Sequence, residues 1–170
     1  MPTESQSLRK LLNVFPHPGR VDWIGLRPGR RAPIAAVQTV VAEAGEGLRG
    51  DHYAGKGGKR QVTLIQAEHL SVVASILGVD AVRPEQLRRN VVVYGLNLLA
   101  LKGQSFSLGE VVLEYTGLCH PCSFMESALG RGGYNAMRGH GGITARVITG
   151  GELTVGSPVT VLSDGAPHAT

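Results

Sequence analysis

Apolar residues along this chain come in short runs that glycine and proline interrupt. From Pro33 to Val41, Ile34, Ala36 and Val40 fall on one face and Ala35, Val37, Thr39 and Val41 on the other. That alternation predicts a strand covered on both sides. Arg60 to Ile65 and Val91 to Tyr94 read as further strands. Ser105 to Leu108 and Glu110 to Tyr115 form two more across Gly109. Ile143 to Ile148, Leu153 to Val155 and Pro158 to Leu162 complete the set. Helical spacing is clear once: Leu70, Val73, Ala74 and Leu77 predict a helix over Gln66 to Leu77, closed by Gly78. Pro84 to Leu87 suits a single helical turn. Trp23, Ile24 and Leu26 anchor the first packed segment, after a tail to about Pro18 with a short amphipathic piece, Leu8 to Val14. Ala42 to Gly58 is a glycine-rich loop.

Seven or more short strands beside one substantial helix define a mainly β, β-rich α+β single domain. A closed or partly closed barrel is the natural way to bury so many short strands. The expected organisation is an N-terminal tail over 1–20, the domain over 21–165 and a C-terminal tail over 166–170. No internal repeat or linker divides it.

Composition narrows the function. The chain has 170 residues, 24 glycines and 9 prolines, which favours tight turns over long helices. Aromatic residues make up 5%, too few for a platform that stacks single-stranded nucleic acid. The formal charge of +4 and pI near 9.4 suit a small anionic ligand, or simply a solvated, mildly basic surface. The positive residues cluster locally rather than in a basic tail, so no nucleic-acid partner is expected. No apolar run is long enough to span a bilayer, and Met1 to Lys10 lacks the apolar core of a signal peptide. With two cysteines only, the expectation is a cytoplasmic, reducing location without membrane association.

Both cysteines fall in Thr116-Gly117-Leu118-Cys119-His120-Pro121-Cys122, directly after an apolar run. Gly117 and Pro121 break regular structure, which places the thiols on a turn leaving a strand. Ser123-Phe124-Met125-Glu126 reads as a capping box, with Ser123 at the N-cap and Glu126 at N3. Cys122 would then stand just before a helix N-terminus, where partial positive charge favours the thiolate. A thiolate is a nucleophile and a ligand for soft metals. Other readings stay open at this point. A buried cysteine packs as an inert small hydrophobe, and Cys-x-x-Cys also serves as a redox couple. Zinc requires four ligands; His120 and His140 do not complete a zinc-finger spacing.

Three other clusters carry charge. Gly50 to Gly57 resembles a P-loop, but Gly57 replaces the magnesium-binding Ser/Thr, no strand leads in and no helix follows. Nucleotide hydrolysis by this loop is therefore not expected. Its glycines with Lys56, Lys59 and Arg60 suit either an anion or an ordinary surface loop. Arg88-Arg89-Asn90 stands before a buried strand, where two guanidinium groups and an amide suit a phosphate or carboxylate; taken alone, the segment reads equally as a pair of surface arginines. Arg138-Gly139-His140-Gly141-Gly142 combines an anion contact, a proton-transfer group and close backbone approach. Arg27-Pro28-Gly29-Arg30-Arg31 reads as a charged turn that serves solubility.

Taken in order, Gly47-Leu-Arg-Gly-Asp-His52, Arg60-Gln-Val-Thr-Leu-Ile65, Arg88-Arg-Asn-Val-Val-Val93, Gly117-Leu-Cys-His-Pro-Cys122 and Arg138-Gly-His-Gly-Gly142 resemble the MOSC family. The family is named for the C-terminal domain of molybdenum cofactor sulfurases. The resemblance runs from Trp23 to Leu162, and the chain is similar to small standalone bacterial members. It implies a β-barrel and a cysteine that binds molybdenum or carries sulfur, with Cys122 the better match and Cys119 the reserve. It further implies that Arg88, Arg89 and Asn90, with Lys59, Arg60 and Arg138, hold the pterin of the molybdenum cofactor, molybdopterin. Asp51, His52 and His140 would handle protons near the metal.

Members of the family reduce N-hydroxylated bases and amidoximes, or are proposed to deliver sulfur. The resemblance thus leaves two activities, a molybdenum-dependent oxidoreductase served by a separate electron-donor protein, or a sulfur carrier loaded by a cysteine desulfurase. A non-catalytic module with a structural or redox Cys-x-x-Cys is a third reading. PLP enters only through the desulfurase domain of the eukaryotic sulfurases; nothing in this chain offers a PLP site.

Overall fold

The computed structural model describes residues 1, 4–53 and 57–162. Ala54, Gly55 and Lys56 of the glycine-rich loop, and the expected C-terminal tail, lie outside the described residues. After a short helix α1 (Glu4–Leu11), the first strand β1 (Gly19–Leu26) leads into β2 (Ala35–Val37), β3 (Thr39–Glu43) and β4 (Gly47–Leu48). Then come β5 (Val62–Gln66), helix α2 (Ala67–Leu77) and β6 (Val91–Tyr94). The chain continues through β7 (Ser105–Leu108), β8 (Val111–Leu118), helices α3 (Ser123–Leu129) and α4 (Gly133–Met137), β9 (Ile143–Thr149), β10 (Gly151–Thr154) and β11 (Pro158–Leu162).

Seven strands close on themselves in the order β1-β11-β7-β8-β9-β5-β6 and back to β1. The fold is mainly β, a closed barrel with few short helices. Closure rests on Gly19 opposite Val159 and Arg20 opposite Pro158. Every pair in the barrel is antiparallel except β5–β6. That parallel pair cannot be joined by a tight turn, and α2 is part of its crossover. A separate three-stranded sheet, β10-β3-β4, flanks the barrel, and β2 pairs with the edge of β1.

The side-chain period of two sorts residues between two cores. Leu64, Val91 and Val93 point into the barrel with Val21, Phe106 and Ile143. Their neighbours Ile65 and Val92 point outward and pack with Val73, Leu87, Met125 and Met137 under the helices. A bulge in β1 between Val21 and Trp23 shifts the register against β6. It turns Trp23 to the outer core although Val21 and Ile24 face the inner one. Met125 and Met137 thereby fix the α3–α4 unit, and with it the cysteine turn, to the barrel wall.

Most expected elements are present, with three differences. The run from Pro33 to Val41 is two strands: β2 pairs with β1, and β3 pairs with β10 in the other sheet. The N-terminal helix begins upstream of the amphipathic stretch at Leu8. The capping box at Ser123 is absent: Cys122 is the N-cap of α3, and no side chain caps the helix there. The Glu126 carboxylate instead accepts from the backbone N–H groups of Gly132 and Tyr134, at 2.8 and 3.0 Å. It thus ties the turn between α3 and α4, and these two bonds hold its carboxyl below the usual range. Among the described residues no helix is long and apolar enough to cross a membrane.

Candidate functional site

At one end of the barrel the chain leaves β1 and β8 and enters β5 and β6. The connections there enclose a cavity of about 460 Å³, within the size range of small-molecule sites. Four arginines line it, Arg27, Arg60, Arg88 and Arg89, together with Tyr53, Thr63, Met125 and the turn from Cys119 to Cys122. No carboxylate lines it among the described residues.

A buried polar knot sets this end of the barrel. The Asp51 carboxylate accepts from Arg27 N–H at 2.9 Å, from Tyr53 N–H at 3.1 Å and from Asn90 Nδ2 at 3.1 Å. The Asn90 amide also donates to the Gly25 carbonyl and accepts from Thr63 N–H and Oγ1. Asn90 therefore joins β1, β5 and the loop after β4 with its hydrogen-bonding capacity spent on the protein. Asp51 and Asn90 stand behind the cavity wall and position Arg27, Tyr53 and Thr63.

Three of these arginines are held differently. Arg89 is buried, and its Nε, Nη1 and Nη2 donate to the carbonyls of Gly141, Leu87 and Cys119 at 2.8, 2.7 and 3.4 Å. These acceptors are neutral, so its positive charge is not cancelled. Arg88 takes a left-handed backbone conformation, φ 59°, uncommon for a residue with a side chain. Its Nη2 donates to the Arg30 carbonyl at 2.8 Å, and its guanidinium lies 4.5 Å from the ring centre of Phe124. Burial and then the charge of Arg27 push its pKa down from the ordinary arginine value. Arg27 is only 4% exposed and sits 4.8 Å over the ring of Tyr53. Its Nε is shielded from solvent with no hydrogen-bond partner among the described residues. The reading of Arg27 as part of a solubility turn is thus corrected.

Both cysteines are free thiols; Cys119 is buried and Cys122 exposed. Cys119 N–H donates to the Gly142 carbonyl at 2.9 Å. A side chain at Gly141 would collide with the Cys119 carbonyl, and one at Gly142 with the Leu64 carbonyl. The glycines of the 138–142 segment therefore let its backbone lie against the cysteine turn.

The expected residues divide accordingly. Arg60, Arg88, Arg89, Cys119 and Cys122 come together on the cavity. Lys59, His52 and Arg138 are exposed and do not line it. His140 is turned away: its Nδ1 lies 3.0 Å from the Ala136 carbonyl, and its ring meets His69 edge-on at 5.0 Å. Arg27, Tyr53, Thr63 and His120 also line the cavity; Thr63 and His120 fall inside the Arg60–Ile65 and Gly117–Cys122 motifs, but none of the four is among the expected site residues. The one local sign for Arg27 is its position directly after the buried end of β1.

Among the described residues no three His, Cys, Asp or Glu side chains converge to hold a metal ion. A metal at Cys122 would have to arrive with its other ligands attached. The donor set fits such a group: one exposed thiol, an uncompensated positive wall and an orphaned buried N–H.

Residues 49–160 match the model of the MOSC domain, and the chain belongs to that family. Among solved structures it is similar to the YUAD protein from Bacillus subtilis, at 21% identity and TM-score 0.75, over 85% of this chain and 95% of that one. It is also similar to YiiM from Escherichia coli, at 19% identity and TM-score 0.66, over 87% of this chain and 72% of that one. YiiM from Geobacillus stearothermophilus matches at 17% identity and TM-score 0.68, over 89% and 78%. At these identities the likeness carries the fold. No curated protein matches the chain.

Proposed function

We propose that the cavity binds a molybdenum–pterin cofactor and that the protein reduces N-hydroxylated compounds. The observation that carries this reading is an exposed thiol, Cys122, on a cavity lined by four arginines and no carboxylate. The Cys122 thiolate would ligate the metal, a soft donor beside the dithiolene sulfurs of the pterin. The arginines would hold the pterin's phosphate, with Arg89 contributing its fixed charge. When bound, the cofactor supplies a redox-active metal that removes oxygen from nitrogen. Asp51, His52 and His140 stand outside the lining, so the proton-handling role falls to His120, which lines the cavity two residues before Cys122. Electrons would come from a separate donor protein, and two free thiols suit a reducing, cytoplasmic setting.

The exposure of Cys122 also favours a second reading, a sulfur carrier. A persulfide forms on an accessible, reactive cysteine, and a cysteine desulfurase would load it. Metal analysis of wild type, Cys119→Ser and Cys122→Ser protein, made in a host that supplies the cofactor, separates the two. Molybdenum present in wild type and lost only in Cys122→Ser supports the cofactor reading. Its absence throughout, with a mass gain of one sulfur on Cys122 after incubation with a desulfurase, supports the carrier.

A further inference from the structure

Two histidines outside the cavity face each other. His69 lies in the first turn of α2, His140 follows α4, and α2 packs on α4. Their rings meet edge to face at 5.0 Å, and both residues are half-buried. The Nδ1 of His140 lies 3.0 Å from the Ala136 carbonyl; a carbonyl only accepts, so this nitrogen carries a proton. The Nδ1 of His69 is shielded from solvent and has no partner among the described residues. In the neutral ring it is a bare acceptor. Protonation turns it into a buried donor without an acceptor, which costs free energy.

Little around the pair offsets its charge. Glu68, next to His69, favours the charged ring, but less than burial and His140 disfavour it. The Glu68 carboxylate already accepts from Gly95 N–H at 2.7 Å. The other elements packed on α2, namely β5, β6 and α4, carry no acidic or basic side chain. Their titratable groups are the exposed phenols of Tyr94 and Tyr134. Arg138 is exposed and Arg89 reaches the Gly141 carbonyl; both are positive.

His140 is tied through the backbone to the wall of the site. The two residues after it supply the carbonyls that hold Arg89 Nε and Cys119 N–H, at 2.8 and 2.9 Å. Gly139 and Gly142 flank it with positive φ, 79° and 84°. Backbone freedom at these two points lets His140 move and take the Gly141 carbonyl with it.

We propose that His69 and His140 form a proton-operated latch on the cysteine turn. With the rings neutral, the 138–142 segment stays seated. With both charged, it lifts, frees Arg89 and Cys119 N–H, and bares the Cys119 thiol. The latch acts whether the turn ligates a metal or carries sulfur. Proton binding sets its direction. Burial and His140 lower the pKa of His69 in the seated form, and lifting returns it toward the ordinary histidine value. Opening is therefore increasingly favoured as pH falls below about 6.5, until the lowered value is passed.

The test measures the protection of Cys119 in Cys122→Ser protein, where it is the remaining thiol. Protection is the rate of reaction with a dithiodipyridine in the urea-unfolded chain divided by the native rate at the same pH. The thiol's own ionisation then largely divides out. From about pH 7.5 to about pH 5.5, protection should fall about threefold or more. His69→Gln and His140→Gln, added singly, should each hold it constant. A chain with Cys119→Ser, Cys122→Ser and Val111→Cys carries its thiol at the other end of β8, in the barrel interior, and reports complete unfolding. At the lower pH Cys119 should be about tenfold or more less protected than that thiol, the mark of local opening. Circular dichroism at each pH shows which chains are folded. One folded histidine variant suffices, and the comparison with Val111→Cys needs neither. Constant protection of Cys119 across this range, an equal fall in a folded histidine variant, or equal protection of the two thiols at the lower pH would overturn the latch.

Discussion

Removing the Asp51 carboxylate tests the polar knot behind the cavity. In Asp51→Ala three N–H donors lose their acceptor: Arg27 N, Asn90 Nδ2 and Tyr53 N. The Tyr53 bond is only part-buried, and water can replace it. The other two are buried. An orphaned buried donor costs about 1–3 kcal/mol, so losing the acceptor of both should cost about 2–6 kcal/mol. With a urea slope of about 2 kcal/mol per molar, within the usual range for small proteins, the unfolding midpoint should fall by roughly 1–3 M. Asp51→Asn gives a sharper discrimination. Arg27 N and Asn90 Nδ2 both bond the same oxygen, Oδ1, whereas Tyr53 N bonds Oδ2. An asparagine carbonyl in the Oδ1 position keeps both buried bonds and loses only the part-buried one. It should recover more than half of the lost stability. Equilibrium urea unfolding of the three proteins is the assay. An Asn variant as unstable as the Ala variant, or an Ala variant within about 0.5 kcal/mol of wild type, would refute the accounting.

Other expectations follow from the same geometry. In the native protein Cys122 should react rapidly with a thiol-specific chromogen and Cys119 only on unfolding; equal rates would contradict their burial. Leu64→Ala removes a fully buried side chain from the barrel interior and should cost about 2–5 kcal/mol in urea unfolding. Burial, then the charge of His140, lowers the pKa of His69, against a smaller opposing effect of Glu68. The unfolded chain therefore binds a proton more readily than the native one, and stability should fall as pH drops from about 7 through the native pKa. His69→Gln should flatten that part of the stability–pH profile, and an unchanged slope would remove His69 as its source.

Strands were legible wherever an apolar run had turn residues at both ends. Val91–Tyr94, Ser105–Leu108 and Pro158–Leu162 match their observed limits for that reason. Helix α2 was legible from one apolar stripe and Gly78, whose φ of 69° suits a residue without a side chain. The break at Gln38 was not, because no local signal marks a chain that leaves one sheet for another without a turn. The capping box failed for a related reason. Glu126 can bond the start of its own helix or N–H groups beyond its end, and only the placement of α4 decides. At the site, the cysteine turn and the paired arginines were readable as motifs. Arg27 was not: its burial depends on Asp51, 24 residues further on, and on the ring of Tyr53.

The pairing of β1 with β11 has a consequence for how the barrel comes into being. The strand nearest the start of the domain completes its hydrogen bonding only when the last strand arrives, with Gly19 opposite Val159. Such a distant pairing is among the slowest to form, since nearly the whole domain must be looped before it is made. It also means that the two extremities of the barrel segment are neighbours in space. A linker from Leu162 to Gly19, with a new opening at the Gly109 turn between β7 and β8, would turn that slow closure into a local hairpin. Such a rearranged chain should keep every strand partner, transfer the distant closure from β1–β11 to β7–β8, and leave the arginine-lined end untouched.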